Sequence, residues 1–382
     1  MKTYIVYFIR VFFYYFFRIF HIDNNKIFFQ NFNGKGYGDN PKYIAEEIIR
    51  QGLNFRLIWA VSKNIKKVFP PLIITVPYKS LRSIYEEVTS KFWIDNCRKQ
   101  LYVRKRKKQF YIQTWHGVIG LKKTEKDVEE QLSAYYVKQA KNDSLMINLF
   151  LSDSNYFTHL YKTVFWYDGE IFECGSPRDD ILFNPSIDIN SKVRNFFNIP
   201  ENTKIILYAP TFRDDFNEDS FNINSDFLIN SLSKKTNEPW ILLMRLHPNI
   251  TDNSKFFEFT NKTINASYYD DIQELLIASD IMITDYSSCM YEFALMNKPV
   301  FLYINDYDKY KNERDFYFDL LTLPFPHVNN VSELPNVILN FNLEKYLESV
   351  KLFFNKVGVV NEGIACKKVI NRIKEENKYE GL

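Results

Sequence analysis

Short apolar runs alternate with amphipathic segments along the whole chain. The runs are rich in Val, Ile and aromatic side chains, and apolar residues at helical spacing follow many of them after a turn. Such runs have the length and β-branching of buried strands, and strands that alternate with helices indicate parallel sheets. We predict strands over residues 26–29, 55–59, 73–76, 91–94, 110–113, 149–152, 171–174, 204–208, 240–244, 281–284 and 300–303. The pattern therefore predicts an α/β fold.

The length of 382 residues indicates two domains. A polar stretch with a proline, residues 183–200, is the predicted linker, and residues 306–314 read as a loop. We expect a first helix, an N-terminal domain, a C-terminal domain, and a final helix that packs back on the N-terminal domain. Their expected limits are residues 1–22, 23–185, 186–360 and 361–382.

The first twenty residues are mostly aromatic and aliphatic. Their longest uncharged run, residues 11–17, is too short to span a bilayer, and no small-residue cleavage site of a signal peptide follows it. On a helix Lys2, Arg10 and Arg18 stay on one side. Such a helix can lie in the headgroup layer of a membrane, with its aromatic side chains inserted and its cations facing anionic lipid. The alternative is a buried first helix.

Composition excludes several classes of protein. A net charge of +3 does not indicate a nucleic-acid partner. The four cysteines lie far apart and form no CxxC pair, so neither a zinc site nor a disulfide framework is predicted. No acidic cluster suggests a dedicated metal site, and we expect no cofactor. A basic cluster, residues 104–108, is either solvated surface or a site for lipid headgroups or a pyrophosphate.

Polar residues follow several strands of the N-terminal half. His116 and Gly117 end the strand over 110–113, which puts an imidazole at the carboxyl edge of the sheet, beside a flexible turn. Neutral imidazole suits a general base, although a lone histidine more often bonds only to backbone. Lys122 and Lys123 either steer an anionic substrate or face water, and Arg178 follows another strand, from which it could reach the cleft.

The C-terminal half repeats this arrangement. Thr211 and Arg213 follow the strand over 204–208 and offer a hydroxyl and a guanidinium. Arg245 and His247 follow the strand over 240–244 and point to the same side of an extended segment. A cation beside an imidazole suits a phosphoryl group, whereas the alternative for Arg245 is an ion pair at the rim of the core.

The turn after the strand over 281–284 is the strongest ligand signal. It contains Asp285, Ser287 and Ser288 immediately before a predicted helix. In open α/β sheets ligands bind at such turns, and hydroxyls at a helix start suit phosphate. The alternative is that a serine is an ordinary N-cap. Glu292 lies one helical turn on, where its carboxylate can accept hydrogen bonds from ribose hydroxyls.

Taken together, these motifs resemble the CDP-glycerol glycerophosphotransferase family, the teichoic-acid primases and polymerases. The matching pieces run in order from about residue 26 to 370 and comprise residues 113–117 with Lys122 and Lys123, 175–178, 208–211, 245–248, and 284–288 with Glu292. The resemblance implies a GT-B fold of two Rossmann-like domains that face each other across a cleft. The donor nucleotide is then expected mainly in the C-terminal domain.

The resemblance also implies roles for individual residues. His116 is expected as the base and His247 as a contact to the donor phosphates. Glu292 is expected on the ribose, and the diphosphate site is completed by Thr211, Arg245, Ser287 and Ser288. After Gly117 the chain reads Val-Ile-Gly-Leu, where family members commonly have Thr-Pro and a leucine before the lysines. This departure concerns the loop on the acceptor side.

The expected activity is transfer of an alditol phosphate, glycerol phosphate above all, from CDP-glycerol or CDP-ribitol to a hydroxyl of a lipid-linked or polymeric cell-surface glycan. CMP leaves, and the pathway is teichoic acid or capsule biosynthesis. We expect a peripheral protein on the cytoplasmic face of the cell membrane, bound to anionic lipid. Two alternatives are a GT-B glycosyltransferase that uses a nucleotide sugar and a non-catalytic, membrane-associated assembly protein. The oligomeric state stays open.

Overall fold

The computed structural model divides the chain into two compact units. It describes residues 2–65, 67–117, 119–185, 188–211, 213, 221, 223–246 and 257–378. The N-terminal unit comprises Met1–Gly117, Thr124–Asp180 and Val359–Leu382, and the C-terminal unit comprises Val118–Lys123 and Ile181–Gly358.

In the described part of the chain, the N-terminal unit contains a seven-stranded sheet in the order β3-β2-β1-β4-β5-β6-β7, parallel throughout. Its strands are β1 Asp23–Gln30, β2 Arg56–Val61, β3 Ile73–Pro77, β4 Ser90–Asp95, β5 Phe110–Gln113, β6 Leu149–Ser152 and β7 Glu170–Glu173. The central strands are buried on both faces, because helices cover a parallel sheet on each side.

The C-terminal unit contains a six-stranded sheet in the order β10-β9-β8-β11-β12-β13, counted over its described residues. This sheet is also parallel throughout. Its strands are β8 Lys204–Ala209, β9 Trp240–Met244, β10 Thr263–Asn265, β11 Ile281–Thr284, β12 Val300–Tyr303 and β13 His327–Val328. All strands of one parallel sheet end at the same edge, so the residues after β8, β9 and β11 gather there.

Helices connect the strands in both units. They are α1 Lys2–Phe16, α2 Asp39–Arg50, α3 Leu81–Thr89, α4 Ala134–Ser144, α5 Asn155–Val164, α6 Asp180–Phe183, α7 Asp188–Phe197, α8 Ser225–Thr236, α9 Ile272–Ala278, α10 Cys289–Leu295, α11 Tyr307–Glu313, α12 Leu334–Leu339, α13 Leu343–Val357 and α14 Ala365–Lys378. The final helix α14 belongs to the N-terminal unit, where it contacts α2.

Each predicted strand overlaps a strand of the structure, and the α/β class is confirmed. The sequence pattern missed β10 and β13, which are three and two residues long and lie at the edges of their sheet. The predicted linker contains α7, whose Ile189 and Val193 are buried, and the predicted loop contains α11, whose Tyr310 is buried. Both predictions were wrong because a few buried residues anchor these polar helices to the core.

A short segment of the N-terminal half belongs to the C-terminal unit. Ile119 and Leu121 are buried, and the backbone over 121–123 pairs with residues 315–317. The Tyr317 N–H donates to the Leu121 carbonyl at 3.0 Å, and the Lys123 N–H donates to the Asp315 carbonyl at 2.8 Å. No local sequence pattern predicts this pairing. Lys122 and Lys123 therefore belong to the C-terminal unit, although their position in the sequence had assigned them to the N-terminal domain.

The first helix packs on the N-terminal unit by one side only. Tyr14 is 1% exposed, and α1 contacts α3. The outward side leaves large apolar side chains exposed, namely Ile5, Val6, Phe8, Ile9, Phe12, Tyr15 and Phe16. Arg10 lies over the ring of Tyr102, at the border of this surface. Among the described residues, we find no helix whose length and hydropathy would let it cross a membrane.

Candidate active site

His116 lies just beyond β5, at the carboxyl edge of the N-terminal sheet. Its Nδ1 atom is 2.6 Å from the carbonyl oxygen of Asn96, which follows the neighbouring strand β4. A carbonyl can only accept a hydrogen bond, so Nδ1 carries the hydrogen and Nε2 of the neutral ring carries the lone pair. This tautomer is the one that a general base acting through Nε2 requires.

The surroundings of the imidazole favour its neutral form. The ring is partly buried, stacks on Trp115 at a centroid distance of 4.5 Å, and meets the edge of Phe32 at 5.2 Å. Burial lowers the pKa of His116, against the opposing effects of the Asn96 hydrogen bond and the Asp39 carboxylate. The imidazole is therefore mainly unprotonated at neutral pH.

Two side chains hold the backbone of the Thr114–Gly117 turn. Asn40 Nδ2 donates to the Trp115 carbonyl at 3.2 Å, and Arg178 Nη1 donates to the His116 carbonyl at 3.2 Å. The Arg178 guanidinium is also 2.6 Å from Asp39, at the start of α2. Arg178 thus braces the histidine turn and is itself 7% exposed. Sequence reasoning missed Asp39 and Asn40, although the three glycines before them signalled an unusual turn.

Unusual backbone conformations cluster around this turn. Trp115, Phe32, Asn33 and Asp39 have φ values of 52°, 40°, 55° and 58°, in the left-handed region that side chains with a Cβ atom rarely occupy. Gly34 has a φ of 84°, and a Cβ there would meet the Tyr78 ring at 2.8 Å. Such conformations persist where the surrounding contacts impose them, and they concentrate at functional sites.

At the carboxyl edge of the C-terminal sheet, an ion network holds Thr211 and Arg213, which follow β8. Arg213 Nη2 is 2.9 Å from Asp285, and its Nε is 2.7 Å from Asp306. The Thr211 N–H donates to both carboxylate oxygens of Asp285 at 2.9 and 3.1 Å. Arg213 and Asp285 were both expected to contact the donor. In the structure they pair with each other, and they are 4% and 3% exposed.

The hydroxyl of Thr211 is the open hydrogen-bonding group at this edge. It is buried and has no hydrogen-bond partner among the described residues. A buried hydroxyl without a partner is costly, so an orphaned one marks a place where a ligand or water supplies the partner. This observation fits the expected contact of Thr211 with a donor phosphate.

Ser287 and Ser288 lie partly exposed between β11 and α10. Ser288 occupies the N-cap position, but its side chain makes no capping hydrogen bond, so the alternative of an ordinary N-cap does not hold for it. The Cys289 thiol donates to the Ser287 hydroxyl at 2.9 Å. The two hydroxyls lie at the same sheet edge as Thr211, since β8 and β11 are neighbours.

Two further predicted donor residues lie in more enclosed positions. Arg245 Nη1 donates to the Tyr269 carbonyl at 2.6 Å, and burial lowers the pKa of this guanidinium, opposed by Asp271 and Asp270. Glu292 is 2% exposed and accepts a hydrogen bond from Gln273 Nε2 at 2.7 Å. His247 lies outside the described residues.

The two lysines are part of the C-terminal unit. Lys123 pairs with Asp315, whereas Lys122 Nζ lies 5.3 Å from the centre of the Tyr310 ring. Burial lowers the pKa of Lys122 to about 8, although Asp285 opposes the shift. The sheet edge of the C-terminal unit therefore gathers Lys122, Thr211, Arg213, Asp285 and the two serines, while the N-terminal unit gathers His116, Gly117 and Arg178.

Within the described ranges, no group of three or more His, Cys, Asp or Glu side chains is arranged to hold a metal ion. The cysteines in these ranges are free thiols. The polar groups at the two edges are an imidazole, guanidinium groups, a lysine and hydroxyls, together with the Asp39 and Asp285 carboxylates that pair with the guanidinium groups. Apart from the carboxylates, these are groups that bind and polarise phosphates and move protons.

Two parallel sheets, each with polar residues at its carboxyl edge, are the units of a GT-B protein. Consistent with this class, a solved structure of the wall teichoic acid polymerase TagF matches with a TM-score of 0.84 at 29% identity, over 96% of this chain and 93% of that one. A TagF variant soaked with CDPG matches with a TM-score of 0.86 at 28% identity, over 98% and 95%. The GT-B fold is thereby confirmed.

The family model of CDP-Glycerol:Poly(glycerophosphate) glycerophosphotransferase matches residues 12–375, and the chain belongs to this family. A teichoic acid poly(glycerol phosphate) polymerase of Staphylococcus epidermidis is 31% identical over 93% of this chain. A teichoic acid glycerol-phosphate transferase of Staphylococcus aureus is 30% identical over 92% of this chain and 93% of its own length. The chain spans about half of the Staphylococcus epidermidis polymerase, 51% of its length.

Proposed function

We propose that the protein transfers glycerol phosphate from CDP-glycerol to a hydroxyl of a teichoic acid or related cell-surface glycan. The observation that carries this proposal is the hydrogen bond between His116 Nδ1 and the Asn96 carbonyl, which leaves Nε2 as the proton acceptor. Membership of the glycerophosphotransferase family supports the choice of donor.

The reaction is a phosphoryl transfer. The acceptor oxygen attacks the phosphorus next to the glycerol and forms a new P–O bond, while His116 Nε2 takes the proton of the attacking hydroxyl. The bond between that phosphorus and the bridging oxygen breaks, and CMP leaves with the oxygen. Positioning and stabilisation of the developing charge supply most of the rate in such reactions.

The C-terminal unit is the proposed site of the donor. The groups that suit a diphosphate are the orphaned Thr211 hydroxyl, the hydroxyls of Ser287 and Ser288 and the partly buried guanidinium of Arg245. Arg213 and Asp285 act indirectly, because their hydrogen bonds shape the loop that carries Thr211. For His247 the proposed contact to the donor phosphates rests on the family motif alone.

The proposed acceptor is lipid-linked, and the protein acts as a peripheral protein at the cytoplasmic face of the membrane. The exposed apolar side of α1 supports this, because Phe8 and Phe12 are 65% and 60% exposed. Basic residues from the 104–108 cluster adjoin it, since Arg104 donates to the Tyr7 hydroxyl and Arg106 to the Phe20 carbonyl. An apolar surface bordered by cations binds anionic bilayers.

The experiment incubates the purified protein with CDP-glycerol, CDP-ribitol or a nucleotide sugar, together with a lipid-linked disaccharide. Mass spectrometry measures CMP and the added mass of the acceptor. We expect CMP and a phosphodiester-linked glycerol, and we expect His116→Ala to lose transfer while it still binds CDP-glycerol in calorimetry. Transfer of a sugar without phosphate, or wild-type turnover by His116→Ala, would contradict the proposal. Absence of any product would indicate a non-catalytic protein.

A further inference from the structure

A chain of buried polar groups starts at the inward side of α1. The Tyr14 hydroxyl donates to Glu87 Oε2 in α3. Glu87 Oε1 is 2.8 Å from Lys99 Nζ, which is 3.1 Å from Asp95 Oδ2. The four residues are at most 5% exposed. We call them the Tyr14–Asp95 network.

The other end of this network meets the turn that supports His116. Asp95 ends β4, its Oδ1 accepts the Cys97 N–H at 3.0 Å, and its carbonyl accepts the Thr114 N–H at 2.9 Å. Asn96 lies between Asp95 and Cys97, whose backbone groups make these two hydrogen bonds, and the Asn96 carbonyl binds His116 Nδ1. The carboxylate of Asp95 therefore shapes the turn that presents the acceptor for the imidazole.

A single cation balances two carboxylates in this network. Burial raises the pKa of Asp95 to about 7, although Lys99 opposes the shift. Burial alone would lower the pKa of Lys99, but Glu87 and Asp95 hold it above its usual value. The Tyr14 hydroxyl donates to one oxygen of the Glu87 carboxylate and Lys99 pairs with the other, so the four residues form one contiguous buried set. In such networks the members are interdependent.

The free space beside the network is small. A cavity of about 10 Å³ adjoins Tyr14, Glu87 and Lys99, which is room for about one water molecule. A water in this space can donate to Glu87, but it does not join Glu87 to α1 as the Tyr14 hydroxyl does. Loss of the Tyr14 hydroxyl therefore removes the hydrogen bond that joins α1 to the network.

We propose that Tyr14 is a positioning residue for catalysis, through which the docking of α1 on the N-terminal unit sets the turn that orients His116. This inference rests on the proposed role of His116 as the base. The first helix then has two separate sides, an outward apolar side for the membrane and an inward side that raises the catalytic rate.

The test uses Tyr14→Phe in the full chain, with Tyr7→Phe as the matched control. Tyr7 is on the same helix, and its hydroxyl accepts a hydrogen bond from Arg104 at 3.1 Å, away from the network. Initial rates are measured with CDP-glycerol and a disaccharide on one short alkyl chain, in solution without vesicles. We expect Tyr14→Phe to lower kcat about tenfold with a donor KM within about twofold of wild type. Tyr7→Phe should keep the wild-type kcat.

A vesicle experiment separates this role from membrane anchoring. Both variants should co-sediment with phosphatidylglycerol vesicles as the wild type does, because neither change touches the exposed side of α1. A wild-type kcat in Tyr14→Phe, the same loss in Tyr7→Phe, or a loss equal to the unfolded fraction seen by circular dichroism would overturn the inference. If His116→Ala is also active, the proposed base fails. If only Tyr14→Phe is fully active, the base stands and the positioning role fails.

Discussion

The carboxyl edges of the two sheets are built by different means. Around His116, backbone carbonyls and left-handed residues such as Trp115 and Asp39 determine the geometry. At the edge of the C-terminal sheet, buried ion pairs of Arg213 do so, and neither Thr211, Arg213 nor Asp285 has a positive φ. At the N-terminal edge these contacts orient the His116 ring. At the C-terminal edge the ion pairs hold Thr211 and Arg213 and leave the Thr211 hydroxyl available for a ligand.

This difference follows from the chemistry proposed for each edge. A general base needs one tautomer and one direction for its lone pair, and a carbonyl partner selects both. A diphosphate needs several donors around it, and a charge network can hold their backbone while it remains buried. The two edges should therefore respond differently to substitution.

The largest expected effect is the loss of Arg213. Arg213→Met leaves the buried Asp285 and the partly buried Asp306 without their cation, so the free energy of unfolding should fall by about 3–5 kcal/mol. The control is Lys204→Met in the same unit. Its partner Asp280 is 3.2 Å away and the pair is partly exposed, so the loss should stay below about 1 kcal/mol. Denaturant unfolding measures both, and equal losses would argue against a structural role of the ion network.

The next effect concerns the brace of the histidine turn. Asp39→Asn weakens the ion pair with Arg178, which donates to the His116 carbonyl. We expect kcat to fall about tenfold, equivalent to about 1.4 kcal/mol of transition-state stabilisation, with donor affinity unchanged. Glu47→Gln removes a charge that pairs with Arg50 on the same helix and should leave kcat unaltered. A weaker donor affinity in Asp39→Asn would place this pair at the donor.

A smaller effect is expected at the orphaned hydroxyl. Thr211→Val should weaken CDP-glycerol binding by about 1 kcal/mol without loss of folding stability, because the hydroxyl has no partner among the described residues. Thr284→Val is the counterpart, since that hydroxyl donates to the Ala209 carbonyl at 2.7 Å. It should cost about 1 kcal/mol of stability and leave binding unchanged. Calorimetry and denaturant unfolding distinguish the two, and unchanged binding in Thr211→Val would remove the hydroxyl from the donor site.

The smallest effect is a shift in pH dependence. Burial lowers the pKa of His116, and Glu125 and Asp39 oppose the shift while Arg178 adds to it. The base is active when neutral, so kcat/KM should fall only as the pH drops through a value below the usual pKa of about 6.5. In Asp39→Asn this acidic limb should move to still lower pH, because an anion that favours imidazolium is gone. If kcat/KM instead fell around a pH above the usual histidine pKa of about 6.5, the lowered pKa of His116 would be contradicted.

Much of the fold was predictable because the strands are regular. The run before His116 became β5, as its aromatic residues and isoleucine indicated, and the run before Asp285 became β11, as its β-branched residues indicated. The failures were local. The helix α7 has only two buried apolar residues in a polar stretch, and strand β13 is too short to leave a pattern. Short or polar elements depend on partners distant in sequence, which periodicity does not encode.

By itself, the sequence determined two parallel sheets and the polar residues that end their strands, because alternation and strand direction bring those ends to one edge. Only the tertiary structure decided how these residues are used. In the structure, Arg178 donates to the His116 carbonyl and Arg213 pairs with Asp285 and Asp306. Lys122 belongs to the C-terminal unit. The physical reason is that hydrogen bonds and ion pairs join residues far apart in the chain, and their partners are chosen by packing.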